Sequence, residues 1–294
     1  MHWIVYTVLN NASLVTKDIF VKKNAKIFGV LQFLTTQNLF CSLITLLVGY
    51  LIVGDIKFDK QIPLFILMAF LHSFAQTSKA KAMTINMSLT SVASNFTPIF
   101  SIILAFIFLQ EYTIFDPTTQ AGVLRIVAIT LFPIVLFLLS NGHNAQKKQK
   151  TSLVWFLCII AQVIGHGTAN FMYKYYLRID NLWSFLVVQR FFVFVFSILY
   201  LIPQKKFKFD STILKPGLIN GSLIVISSVA DKVAIILAPL SLYLILQKPL
   251  YTITTTLVGL HLFKEKKILN TKQWIGLGLG LILTLIVVSA SILR

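Results

Sequence analysis

The sequence predicts an all-α integral membrane protein of about ten transmembrane helices, arranged as two inverted five-helix repeats. Three observations carry this expectation. Of 294 residues, 57% are hydrophobic and only 12% are charged, against roughly 25% charged in soluble domains. Such a chain lacks the residues to cover a soluble core. Apolar stretches recur about ten times at close to the 20 residues that a bilayer core demands. The second half of the chain also repeats the first at a near-constant offset.

The spans follow in order. Trp3–Phe20 opens the chain and carries Asn10, Ser13 and Lys17 at i, i+3 and i+7, with Asp18 adjacent. Val30–Val53 holds the pair Gln37–Asn38, and the short Ile62–Thr77 bears His72 and Gln76 on the face that Lys79 continues. Met83–Leu109 contains Asn95 just before Pro98, and Ala121–Ser140 follows with Gly122 near its start. In the second half, Leu153–Leu177 has Gln162, His166, Asn170 and Lys174 at steps of four, so they share one face. Leu182–Ile202 carries Gln189–Arg190. Gly217–Val229 is short and Val233–Phe263 long, and the latter holds Lys248 beside Pro249 deep in an apolar run. Trp274–Leu293 closes the chain. Its IGLGLG run follows no strand, so Gly276 and Gly280 read as a small-residue packing face rather than a dinucleotide loop.

The repeat is visible residue by residue. Trp3 pairs with Trp155, Thr16 with Thr168, Lys22 with Lys174 and Gln37 with Gln189, all at an offset of 152 (155 − 3, for example). Lys81 with Lys232 and Pro98 with Pro249 follow at 151, and Gly122 with Gly276 at 154. This divides the chain into residues 1–140, a linker at 141–151 and residues 152–294. Five spans per half is odd, so the second copy enters the membrane from the opposite side. Inverted repeats of this kind are a plan of secondary transporters, with the site near the midplane between the halves.

Charge and chemistry narrow the function. The excess of 26 Lys and Arg over 9 Asp and Glu sits in short clusters between apolar stretches, the distribution of orienting loops rather than of a nucleic-acid surface. Sixteen loop lysines on one side against six basic residues on the other place both termini outside the cytoplasm. Cys41 and Cys158 lie apart in apolar runs and read as packing residues. The N-terminus lacks the basic n-region of a cleavable signal peptide. No His/Asp set, carboxylate pair or metal-ligand spacing appears, so neither an enzyme nor a cofactor or metal site is expected.

Two matched segments resemble a known family. They are SLTSVASNFTPIFSIILAFIFLQEYT with TTQAGVLRIVAITLF, and APLSLYLILQKPLYTITTTLVGLHLFKEK with KQWIGLGLGLILTL. Small residues, a proline, an apolar stretch, a glutamate and a glycine near the next helix start are similar to the EamA-type domain of the drug/metabolite transporter superfamily. Pro98, Glu111 and Gly122 match that pattern, as do Pro249, Glu265 and Gly276, with three more residues between proline and glutamate in the second half. The resemblance implies a ten-helix carrier with a central cavity that moves small metabolites by alternating access.

The candidate site follows from the cost of charge in lipid, at least about 2.5–3.5 kcal/mol for a lysine or arginine at a helix centre. Lys248 is too deep to snorkel easily, and Pro249 frees the carbonyl of Ile245 and invites a kink, so Pro98 and Pro249 are the expected hinges. Lys248, Arg190, Asn10, Lys17, Gln162, His166, Asn95 and Thr252 form the expected substrate-binding set, and Asp18 and Asp231 are the candidates for proton coupling. Internal pairing of Lys248 with Asp231 is the structural alternative. Lys22, Lys174 and Arg178 are expected to snorkel to the interface. The expected function is secondary transport of a small polar or anionic metabolite in the cell membrane by a monomer or homodimer; a sugar-phosphate or nucleotide-sugar carrier and a lipid-linked flippase component are the alternatives.

Overall fold

The computed structural model describes residues 2–54, 60–85, 96–140, 153–202, 211–262 and 271–293. Among these the chain is helical, with no strand. Ten α-helices of 14 to 27 residues run in order among the described residues: α1 (His2–Phe28), α2 (Val30–Val53), α3 (Ile62–Ile85), α4 (Phe96–Leu109), α5 (Gln120–Ser140), α6 (Leu153–Tyr176), α7 (Leu182–Leu201), α8 (Leu214–Leu237), α9 (Leu240–Leu262) and α10 (Thr271–Ile292). Short 3₁₀ turns occupy Glu111–Ile114 and Ser211–Ile213. Six stretches are long and apolar enough to cross a bilayer: Leu31–Val53, Gln120–Leu138, Leu153–Tyr176, Leu182–Leu201, Ser211–Leu237 and Thr271–Ile292. Large apolar side chains such as Leu51, Ile107, Phe137 and Leu285 face outward. This is the surface of a multi-pass membrane protein. The linker expected at residues 141–151 lies outside the described residues.

The boundary between the eighth and ninth helices differs from the sequence expectation. The eighth runs on to Leu237, and the break falls at Ala238-Pro239 rather than before Val233. Proline forces the preceding residue out of the helical region, and Ala238 is extended at φ −105°, ψ 155°. Lys232, counted above with the loops, is therefore a buried residue of α8, 4% exposed.

Helix contacts pair up under exchange of the two halves. Helix α1 packs on α8 as α6 packs on α3, and α2 on α8 as α7 on α3; α2 meets α7, and α5 meets α10. Glycines permit the closest approaches. A methyl group on Gly221 would meet the Cys41 amide at 2.9 Å, and one on Gly165 would meet Ala75 at 3.0 Å. Gly276 and Gly280 are buried as expected, and a methyl on Gly280 would meet Ile253 at 2.8 Å.

Gly122 answers a different need. The turn before α5 is fixed by Asp116, whose carboxylate accepts from the Thr118 amide and hydroxyl at 2.9 and 2.7 Å. Those donors, the amide first, hold the exposed Asp116 carboxyl below its usual pKa. The turn lays the Asp116 carbonyl against Gly122, where a β-carbon would stand 1.8 Å away.

The start of α1 and the end of α10 lie at one end of the bundle, here the terminal end. Tyr243, near the start of α9, meets Asn10 in the first half of α1, and Arg125 of α5 reaches the Ala290 carbonyl near the end of α10 at 3.1 Å. Eight of the twelve largest fully buried side chains gather near this end: Tyr173, Leu177, Phe185, Leu186, Ile235, Leu240, Tyr243 and Leu244. Phe185 packs edge-on against both Phe65 and Tyr173.

Candidate functional site

The break between α8 and α9 leaves a helix C-terminus and a helix N-terminus side by side, each with unpaired backbone groups. Two charged side chains satisfy them. The Lys174 ammonium donates to the carbonyls of Ile235, Ile236 and Ala238 at 3.0, 3.1 and 2.6 Å. The Glu111 carboxylate accepts from the amides of Leu240 and Ser241 at 2.6 and 2.8 Å and from the Ser241 hydroxyl at 2.6 Å. Each charge also opposes the helix dipole it faces. Lys174 thus caps a helix rather than snorkelling to the interface. Arg178 is exposed and donates to the Tyr175 and Leu177 carbonyls at the end of α6; the side chain of Lys22 lies outside the described residues.

A second polar cluster seals the bundle below this break. The Asn10 amide donates to Asp231 at 3.2 Å and to the Tyr243 hydroxyl at 3.0 Å, and its oxygen accepts from Ser227 at 2.7 Å. Asp231 also accepts from Tyr243 and is paired with Lys232 at 2.5 Å. The Lys232 ammonium lies 3.7 Å from the centre of the Tyr173 ring, whose hydroxyl accepts from Gln189 at 2.6 Å. The cluster ties α1, α6, α7, α8 and α9 into one plug. Asp231 is therefore held by Lys232, Tyr243 and Asn10, and no ion pair joins it to Lys248 among the described residues.

Deeper, the pattern changes. Lys248 lies eight residues beyond Leu240, about 12 Å along α9. Its ammonium has neither a hydrogen bond nor an ion pair among the described residues. One turn on, the Tyr251 hydroxyl donates to Asp18, which also pairs with Lys17 at 3.2 Å. That pair forms although neighbouring helix positions point about 100° apart, because the lysine stem is long enough to bend back. Lys79 of α3 and Lys248 lie within electrostatic reach of each other, of Lys17 and of Asp18. His166 of α6 packs edge-on against His72 of α3, ring centres 5.2 Å apart.

The remaining expected residues are dispersed. Gln162 donates to Thr97 at 2.9 Å, bridging α6 to α4. Arg190 donates to Ser228, and its Nε is buried with no partner in the described structure. The Thr252 hydroxyl bonds back to the Lys248 carbonyl at 2.9 Å. Helix α9 runs through Pro249 without interruption, and Pro98 is the third residue of the described part of α4. Asn95 lies outside the described residues. Tyr173, Tyr243, Tyr251, Lys232 and Arg125 were not anticipated. No sequence motif marks the tyrosines, although one clue existed: Tyr243 and Tyr251 are eight apart on α9, as their partners Asn10 and Asp18 are on α1.

Comparison with known proteins adds the fold and stops there. A solved structure described as "Crystal structure of protein" superposes with a TM-score of 0.72 at 10% identity, covering 97% of this chain and 98% of that one. No family model matches the sequence, and no curated protein matches it. Fold and surface together define a multi-pass, all-helical membrane protein.

Proposed function

We propose that the protein is a secondary transporter of a small polar or anionic metabolite, built from two inverted five-helix repeats like those of EamA-type carriers and working by alternating access in the cell membrane. The observation that carries this reading is Lys248, an ammonium about 12 Å into α9 with no ion pair among the described residues, while the acids within its electrostatic reach, Asp231 and Asp18, are already engaged. Such a charge costs energy that packing alone does not return. The exchange symmetry of the helix contacts supports the repeat. The plug at the terminal end supports a conformation closed there, with Lys17, Lys79 and Lys248 facing the opposite side.

In this mechanism the substrate enters from the opposite end and meets Lys248, with Lys17 and His166 beside it. Reorientation then breaks the plug around Asp231 and closes the other end. Uptake into proteoliposomes of labelled carboxylates, phosphates, amino acids and sugars tests the reading. Wild type is expected to move an anionic or polar solute, and Lys248→Ala to lose that activity while remaining monodisperse. Normal transport by Lys248→Ala would remove the central-site assignment.

One observation favours a second reading, a carrier of lipid-linked substrates. A largely apolar cleft of about 530 Å³ lies between α2 and α7, lined by Thr35, Thr36, Leu39, Phe194, Ile198 and Leu201 among others. Transport of water-soluble metabolites without any lipid-linked solute would exclude it.

A further inference from the structure

His72 of α3 and His166 of α6 meet across the two halves of the chain, with ring centres 5.2 Å apart. Both point into the bundle. Phe70 and Phe74 face outward on α3, as Ile164 does on α6, and each histidine stands two residues from them, on the opposite side of its helix. Each nevertheless stays partly exposed, so what reaches it does so from within. The helices cross tightly beside the pair, where a methyl group on Gly165 would meet Ala75 at 3.0 Å. No ring nitrogen of the pair has a hydrogen-bond partner among the described residues, although polar groups inside a fold are normally paired. Ring centres 5.2 Å apart leave about 3 Å between nitrogens turned toward each other, a hydrogen-bond distance. The carboxylates are placed differently: Asp231 is bonded to Lys232, Tyr243 and Asn10, Asp18 to Lys17 and Tyr251, and Glu111 to the start of α9. The charged groups that face the pair are Lys17 of α1, Lys79 of α3, Arg190 of α7, Lys232 of α8 and Lys248 of α9; the described part of α4 brings no titratable side chain.

On the reading that the protein is a carrier, we propose that His72 and His166 together hold the proton of a proton-coupled transport cycle. A proton from water adds to one ring nitrogen, and the imidazolium donates it to the other ring; the N–H bond is the only covalent bond made. Histidine is the side chain that ordinarily takes and gives a proton between about pH 5 and 8. A second proton would set two like charges in contact, so the pair carries one. The shared proton ties α3 to α6 in this conformation, and a reorientation that parts the two helices releases it. Proton occupancy is thereby linked to conformation. An entering anion offsets the cations around the pair, so anion and proton favour each other's binding and cross together.

Proteoliposomes of full-length protein, loaded with a fluorescent pH dye and held at a clamped membrane potential, test this. A dicarboxylate, inorganic phosphate, a monocarboxylate, a zwitterionic amino acid and a neutral sugar are offered in turn, with protein-free vesicles as the blank. At least one solute is expected to acidify the lumen as it enters. An outside pH of about 6 against about 7.5 inside is expected to speed its uptake about fivefold or more, following the protonated fraction of an imidazole. His72→Gln and His166→Gln are each expected to lose that stimulation, measured against the variant's own counterflow exchange at equal pH, whereas Asp18→Asn is expected to keep it. A merely structural role would lower both rates alike. Size-exclusion profiles check that every variant is folded, and His→Asn at the same position replaces a Gln variant that is not. Uptake by wild type without luminal acidification or a response to the pH gradient overturns the proton assignment and leaves the transport reading standing. So does stimulation that survives in either histidine variant or that disappears in Asp18→Asn alone. Entry of no solute into vesicles of folded wild type overturns the transport reading and this proposal with it.

Discussion

The plug at the terminal end and the cluster about one helical turn or more beneath it are both polar, yet they are built on opposite rules. In the plug, Asp231 has Lys232, Glu111 has the start of α9, and Lys174 has the end of α8. Below it, Lys79 and Lys248 have no ion pair among the described residues, and the carboxylates that reach Lys248, Asp231 and Asp18, are bonded to other groups. Buried polar groups that hold a fold together are satisfied within it. Groups that await something else are left unmatched, and that contrast is what the proposal uses to separate the scaffold from the proposed site.

The comparison breaks if the plug proves dispensable. Asp231→Ala leaves Lys232 buried and unpaired, with an expected loss of about 3–5 kcal/mol, read as a lower melting temperature in detergent. Glu111→Ala strips two buried amides and a hydroxyl of their acceptor and is expected to cost about 3 kcal/mol, with Glu111→Gln recovering part. Gly122→Ala drives a methyl group into the Asp116 carbonyl, and displacing that turn is expected to cost about 1–3 kcal/mol. Little change in all three would mean that the plug is not the scaffold.

The smallest effect sharpens the contrast from outside the membrane. The Asp116 pKa is depressed in the fold by the Thr118 amide and hydroxyl. Its contribution is therefore present above the unfolded pKa and lost as pH falls through the lower folded value. Asp116→Asn is expected to flatten that acidic limb by lowering stability slightly at neutral pH while leaving it nearly unchanged at low pH, as a melting series against pH would show.

Much of this was legible in the sequence, and the illegible part has a physical reason. Hydropathy gave a membrane chain with apolar stretches at helical length, and helical spacing put Asn10, Lys17 and His166 on polar faces. Of the four described helices outside those six, α4 is apolar but short, and α1, α3 and α9 carry Lys17, Lys79 and Lys248. Polarity that weakens a span in a hydropathy profile was thus itself the signal of the proposed site. What failed was partnership at long range. Glu111 caps a helix 129 residues away, and Lys174 binds carbonyls more than 60 away. Nothing local in sequence distinguishes a lysine that caps another helix from one that snorkels. The α8–α9 boundary was missed for the converse reason, because Lys232 looked like a loop residue until its ion pair and aromatic ring were seen.

The most direct test of the account sets Lys248→Gln beside Asp231→Asn and compares their melting temperatures with those of wild type, with and without anionic solutes. A ligand that binds only the native state raises the melting temperature by mass action. The expected result is that Lys248→Gln melts within about 2 °C of wild type but loses the ligand-induced rise, whereas Asp231→Asn melts well below it. If Lys248→Gln instead melts as low as Asp231→Asn and still responds to the ligand, Lys248 belongs to the scaffold and the central claim fails.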